Sequence, residues 1–119
     1  MKQINFMYMN DHATVGGTGI SNSWRATDLL AMDTTGAEEV TMNFKDHVGD
    51  DDAPDKVVIT CVSGASDIID YNRRKAVMST MARLANSVNR DGHVVAFDTL
   101  NSINPNSADI SSIAITLNS

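Results

Sequence analysis

The chain has 119 residues, 42% apolar and 20% charged, enough for one domain with a single modest core and too few for two. Its 15 acidic and 9 basic residues give a net charge of −6, so a phosphate backbone is repelled on average and nucleic acid is not an expected partner. Apolar runs are only a few residues long and Asn5 interrupts the opening MKQINFMYMN, so neither a membrane span nor a secretory signal is expected.

Gln3 to Met9 reads as a strand, with Ile4, Phe6 and Tyr8 alternating against Asn5, Met7 and Met9. Asn10 to Asn22 reads as a loop. It holds Gly16-Gly17-Thr18-Gly19, three of the chain's seven glycines. Arg25 to Thr34 suggests a second strand, though its alternation is poor. Thr35-Gly36-Ala37 turns the chain into Val40, Met42 and Phe44, which alternate cleanly with Thr41, Asn43 and Lys45. The polar stretch DHVGDDDAPDK follows, and then a fourth strand, Val57 to Val62, apolar on both faces.

Beyond Ser63-Gly64 the period changes. At 100° per residue, Val77, Met78, Met81, Leu84, Ala85 and Val88 share one arc, while Lys75, Ser79, Arg83, Asn86 and Arg90 lie opposite. This predicts an amphipathic helix within residues 66–89, stopped by Asp91-Gly92. Ser66 suits its cap, and Asp67 and Asp70 suit the positive end. Ile68, Ile69 and Tyr71 fall off the stripe: either the helix starts later, or they contact something besides the core. His93 to Leu100 and Ile110 to Leu117 complete the count. The expected fold is a single α+β domain over residues 1–119, a mostly antiparallel sheet of about six strands with the helix between the fourth and fifth.

The Gly16–Gly19 loop lacks both the G-x-G-x-x-G order and the following Lys of a phosphate loop, so it reads as a bend. VITCVSGASD runs strand, turn, helix, a setting for a nucleophile elbow or anion site, but G-x-S-x-G is absent around Ser63. Asp67 and Asp70 would also oppose an anion, so Ser63 reads as a turn residue and Ser66 as a cap. Asp50, Asp51, Asp52 and Asp55 lack the ligand order of a calcium loop and read as solvated. His12, His47 and His93 have no zinc spacing. Asp11-His12 and Asp46-His47 are adjacent pairs with no convincing nucleophile. Cys61 is the only cysteine, which excludes an internal disulfide, and reads as a buried thiol. Arg73-Arg74-Lys75 point about 100° apart on a helix and read as a solvated face. No catalytic, cofactor-binding or metal-ligating residue is therefore assigned, and no cofactor is expected.

What remains is a surplus of apolar strand faces, more than one helix covers. Self-association is the favoured solution, and a sheet curled on itself the alternative. The segments LLAMDTTGAEEVTMNFKD, DKVVITCVSG, GHVVAFDTL and ADISSIAITL, with the helix among them, give a layout similar to that of small proteins of unknown function encoded by marine tailed phages, especially cyanophages. The likeness spans most residues after Asp28 and lies in layout and composition, so no site residue carries over. It implies a viral origin, a place in the host cytoplasm or the virion, and a structural or capsid-associated role. The expectation is a non-enzymatic structural or interaction protein acting through homo-oligomer contacts, with capsid proteins as further partners. The alternative is a small-ligand-binding or regulatory protein using the Gly16–Gly19 loop or the Ser63–Ser66 turn.

Overall fold

The computed structural model describes residues 6–12, 19–45, 54–64, 66–86 and 93–117. In chain order the elements are β1 (Phe6–Asn10), β2 (Ser21–Arg25), a short 3-10 turn (Ala26–Asp28), β3 (Leu29–Gly36), β4 (Glu39–Phe44), β5 (Asp55–Cys61), α1 (Asp67–Asn86), β6 (His93–Asp98) and β7 (Ile110–Thr116). The fold is α+β. The expectation of about six strands with the helix after the fourth is corrected in two respects. Among the described residues seven strands form two sheets, and α1 lies between the fifth and sixth.

The additional strand is β2, which lies within the Asn10–Asn22 stretch expected to be a loop and the start of the strand expected after it. Its sequence, Ser-Asn-Ser-Trp-Arg, carries one large apolar residue and no alternation to betray it. It becomes a strand because β1 pairs with it in antiparallel register, Met7 against Trp24 and Met9 against Asn22. On its other side β1 pairs with β6 in parallel, so the smaller sheet runs β2-β1-β6. The larger sheet, β3-β4-β5-β7, is antiparallel throughout.

In the larger sheet the period-2 alternation sets two different faces. Val40, Met42 and Phe44 on β4, Val57, Ile59 and Cys61 on β5, and Ile110, Ile113 and Ile115 on β7 are all buried. The register stacks them in rows, Val40 beside Ile59 beside Ile113, and Met42 beside Val57 beside Ile115. The opposite face carries Asn43, Lys56, Thr60, Ser112 and Thr116, with Val58 half-buried among them. The second apolar face expected of Val57–Val62 is thus a mostly polar one. Met7, Met9 and Trp24 from the smaller sheet join the same core, with Ala96 and Phe97 of β6. Two sheets facing one core account for much of the apolar surplus that one helix was too small to cover.

Helix α1 adds Val77 and Met81, both fully buried, and packs against β3, β4, β5 and β6. Leu84 and Ala85 pack on the core only in part, and Val88 lies outside the described residues. Thr80 is buried where the stripe predicted no polar side chain. Its hydroxyl donates to the Ala76 carbonyl at 2.9 Å and accepts from Asn106 Nδ2 at 3.2 Å, so burial leaves it satisfied. Ile68, Ile69 and Tyr71 lie within α1, which begins at Asp67 and not later, and they are exposed.

Truncating Met81 to alanine removes a fully buried side chain from a packed interior and is expected to cost about 2–5 kcal/mol. Leu84→Ala, at a partly exposed position, is expected to cost less. Urea unfolding followed by far-ultraviolet circular dichroism checks both, and equal costs would contradict the placement of α1.

Candidate functional site

Ligand sites on sheets with parallel strands favour the carboxyl ends of those strands, which here means Asn10 to His12 after β1 and Asp98 to Ser102 after β6. Asn10, buried, donates from Nδ2 to Asp98 Oδ1 at 2.9 Å, while its Oδ1 accepts from Ser21 Oγ at 2.9 Å and the His12 amide at 3.1 Å. Asn101 Nδ2 reaches Asp98 Oδ2 at 2.7 Å, and the Asn101 amide reaches Asp98 Oδ1 at 3.3 Å. Asp98 also pairs through its backbone with Ile103, closing a tight turn in which Ser102 holds a φ of 58°. Hydrogen bonds from Asn10 and Asn101 to the charged form hold the Asp98 carboxyl below its ordinary range, outweighing burial.

Asp11 does not orient His12. Its Oδ1 accepts from the Ile20 amide and its Oδ2 from the Ile115 amide at 2.8 Å, pinning β1 to the end of β7. Gly19, the last glycine of the loop, backs so closely on His12 that a Cβ there would lie 2.8 Å from the His12 Cα and ring. That approach accounts for a glycine at position 19. Gly16, Gly17 and Thr18 lie outside the described residues, as do His47 and Asp50, Asp51 and Asp52. Among the described residues no group of three or more His, Cys, Asp or Glu side chains is placed to hold a metal ion. Beside the Asp98 turn an open groove of about 260 Å³ is lined by Phe97 and Ile103 together with Thr99, Ser102, Ser111 and Ser112.

The Ser63–Ser66 turn is occupied by the helix start. Ser66 Oγ accepts from the Ile69 amide at 3.4 Å, Asp70 Oδ1 accepts from the Gly64 amide at 3.0 Å, and Ser63 Oγ donates to Glu38 at 3.0 Å. Two of the amides that an anion would meet there, those of Gly64 and Ile69, are therefore taken by side chains of the chain itself. A Cβ at position 64 would sit 2.7 Å from both Asp70 Oδ1 and Ile69 Cγ2, so the cap requires glycine there. Cys61 is buried, and burial pushes its thiol above the ordinary range.

Two expectations drawn from charge are corrected. Asp55 was expected in a solvated loop, yet it is fully buried at the start of β5, where its Oδ2 accepts from Trp24 Nε1 at 3.0 Å. Nor do Arg73 and Arg74 form a merely solvated face. Arg73 donates to the Ala108 carbonyl at 2.8 Å, and Arg74 donates to the Ala37 carbonyl, so each clamps a loop onto α1.

The flank between β3 and α1 is different in kind. One open groove of about 400 Å³ is lined by Thr34, Tyr71, Arg74, Lys75 and Met78. A second, of about 270 Å³, lies further along, where Leu29 and Met32 face Ala82 and Ala85. Beside them Leu30 stands 64% exposed. Leu30 is the extra residue at a register shift between Leu29 and Ala31, and that bulge breaks the alternation on which the sequence reading relied. No protein-family model, curated protein or solved structure matches this chain.

Asp98 has a folded pKa below its unfolded value of about 3.9, so the stability it contributes is present above that value and lost as pH falls through the folded one. Asn101→Ala removes the side-chain hydrogen bond from Nδ2 to Asp98 Oδ2 while keeping the one from the backbone amide, and is expected to raise the Asp98 pKa and shift the acid-side loss of stability to higher pH. Carboxyl-carbon NMR titration of wild type and variant checks this. An unchanged Asp98 titration would contradict the geometry.

Proposed function

We propose that the protein is a non-enzymatic structural or interaction module, of phage origin, that works through contacts with further copies of itself. The observation that carries this reading is how the polar and apolar groups are distributed. Asp11, Asp55, Asp70, Asp98, Arg73 and Arg74 are engaged within the fold, on backbone groups or on neighbouring side chains. Large apolar side chains, meanwhile, stand at the surface: Leu30, Ile68 and Tyr71 at 64, 63 and 51% exposure, and Phe6 and Val95 at 38 and 39%.

Single exposed apolar residues are ordinary, but several on a small domain are what a protein keeps for a surface that is covered in use. Burial returns about 25 cal/mol per Å² of apolar area, so several hundred Å² per copy offsets a substantial part of the cost of association. The layout shared with small phage proteins supports the viral setting, in which repeated self-contact and contact with capsid proteins serve assembly. At tens of micromolar, light scattering is expected to give a mass that is a multiple of the 12.8 kDa chain. A mass at the single-chain value would refute the reading.

A further inference from the structure

We infer that the outer edge of β3 is the self-contact, joining two copies about a two-fold axis through Met32 so that β3 pairs antiparallel with its own equivalent. The inference rests on the self-association reading and says where that contact lies.

A sheet edge is a row of unpaired N–H and C=O groups, and proteins usually blunt it. Among the described residues the other three edges are shorter, and two of them are closed at one end or at single groups. On β7 the Ile115 amide is held by Asp11 and the Ile110 carbonyl by Asn104 Nδ2 at 3.0 Å. The end of β6 folds back through the Asp98–Ile103 pairing. β2 has only five residues, four of them polar. Among the described residues β3 is the longest strand at eight, with no proline and no lysine, and its two register shifts leave Ala31–Thr34 between them as the regular stretch. It ends its sheet, and among the described residues nothing pairs with its far side.

The flank is also complementary to itself. Antiparallel pairing about Met32 sets Leu30 opposite the second copy's Thr34, and the symmetry repeats that contact in reverse. Thr34 borders the 400 Å³ groove that holds Tyr71 and Met78. The exposed Leu30 of each copy thus meets the apolar groove of the other. Charge follows the same arrangement. Two chains of net charge −6 repel, but this register brings Asp28 at the start of each strand, which is paired with its own Arg25 at 3.4 Å, to the end of the other flank that carries Lys75. Asp33 falls opposite Ala31 rather than its own equivalent, which avoids a like-charge pair.

The test compares wild type with Leu30→Lys and Phe6→Lys by light scattering across a dilution series, and adds concentration-dependent hydrogen exchange of the wild type. The expected result is a wild-type dimer, weakened about tenfold or more by Leu30→Lys and unaffected by Phe6→Lys. Leu30 is exposed, so its replacement is compatible with folding, which circular dichroism verifies. Should it nevertheless unfold, the wild-type exchange decides: amides of Leu30–Thr34 must gain protection as concentration rises. A wild-type dimer insensitive to Leu30→Lys, or with unchanged β3 exchange, overturns this inference and leaves self-association standing. A wild-type monomer overturns both.

Discussion

The indole of Trp24 holds the two sheets in register. It projects from β2 in the smaller sheet, stacks on Phe44 of the larger one with ring centroids 4.6 Å apart, and donates its N–H to Asp55. Burying a polar side chain is costly unless hydrogen bonds replace the water, and this bond helps to satisfy both Asp55 and the Trp24 indole in the core. The junction also dictates the path of the chain. Immediately after Trp24 and Arg25 the 3-10 turn carries the backbone out of one sheet and into the other. The strand that results, β3, pairs only with β4 and is left at the edge. The open flank is therefore a consequence of the corner.

Much of the larger sheet and the helix could be read from the chain because their signals are local. Val40, Met42 and Phe44 alternate, Val57 to Cys61 is rich in β-branched and apolar residues, and Ser66 sits three residues before the amide it caps. Of the smaller sheet, β1 and β6 were legible as strands, but β2 and the pairing were not. β2 has no apolar alternation, and the parallel pairing of β1 with β6 joins residues more than eighty positions apart. Asp55 looked like part of an acidic loop because its partner is 31 residues away. The candidate surface was hidden for a related reason: the bulge at Leu30 breaks the alternation that would have announced an edge strand. Ile68, Ile69 and Tyr71 were legible as residues outside the core stripe, although only the fold puts Tyr71 beside β3.

Polar chemistry in this protein serves mainly to position the backbone. Asn10 and Asp98 tie the ends of the parallel strands, Asp11 pins β1 to β7, Asp70 and Ser66 cap α1, and Arg73 and Arg74 hold loops against it. Among them, Arg74 on the Ala37 carbonyl ties α1 to the turn after β3, so the flank is bounded by a contact within the chain itself. A preformed surface loses little conformational entropy on association.

The most direct measurement of the central claim is an isotope-filtered nuclear Overhauser experiment on a mixed sample, half of the copies carrying carbon-13 and half unlabelled. Only contacts between copies survive the filter. The account predicts cross-peaks between Leu30 and Thr34 and between Ala31 and Asp33 of different copies. Filtered cross-peaks confined to Phe6 and Val95, or none at a concentration where the protein is dimeric, would contradict it.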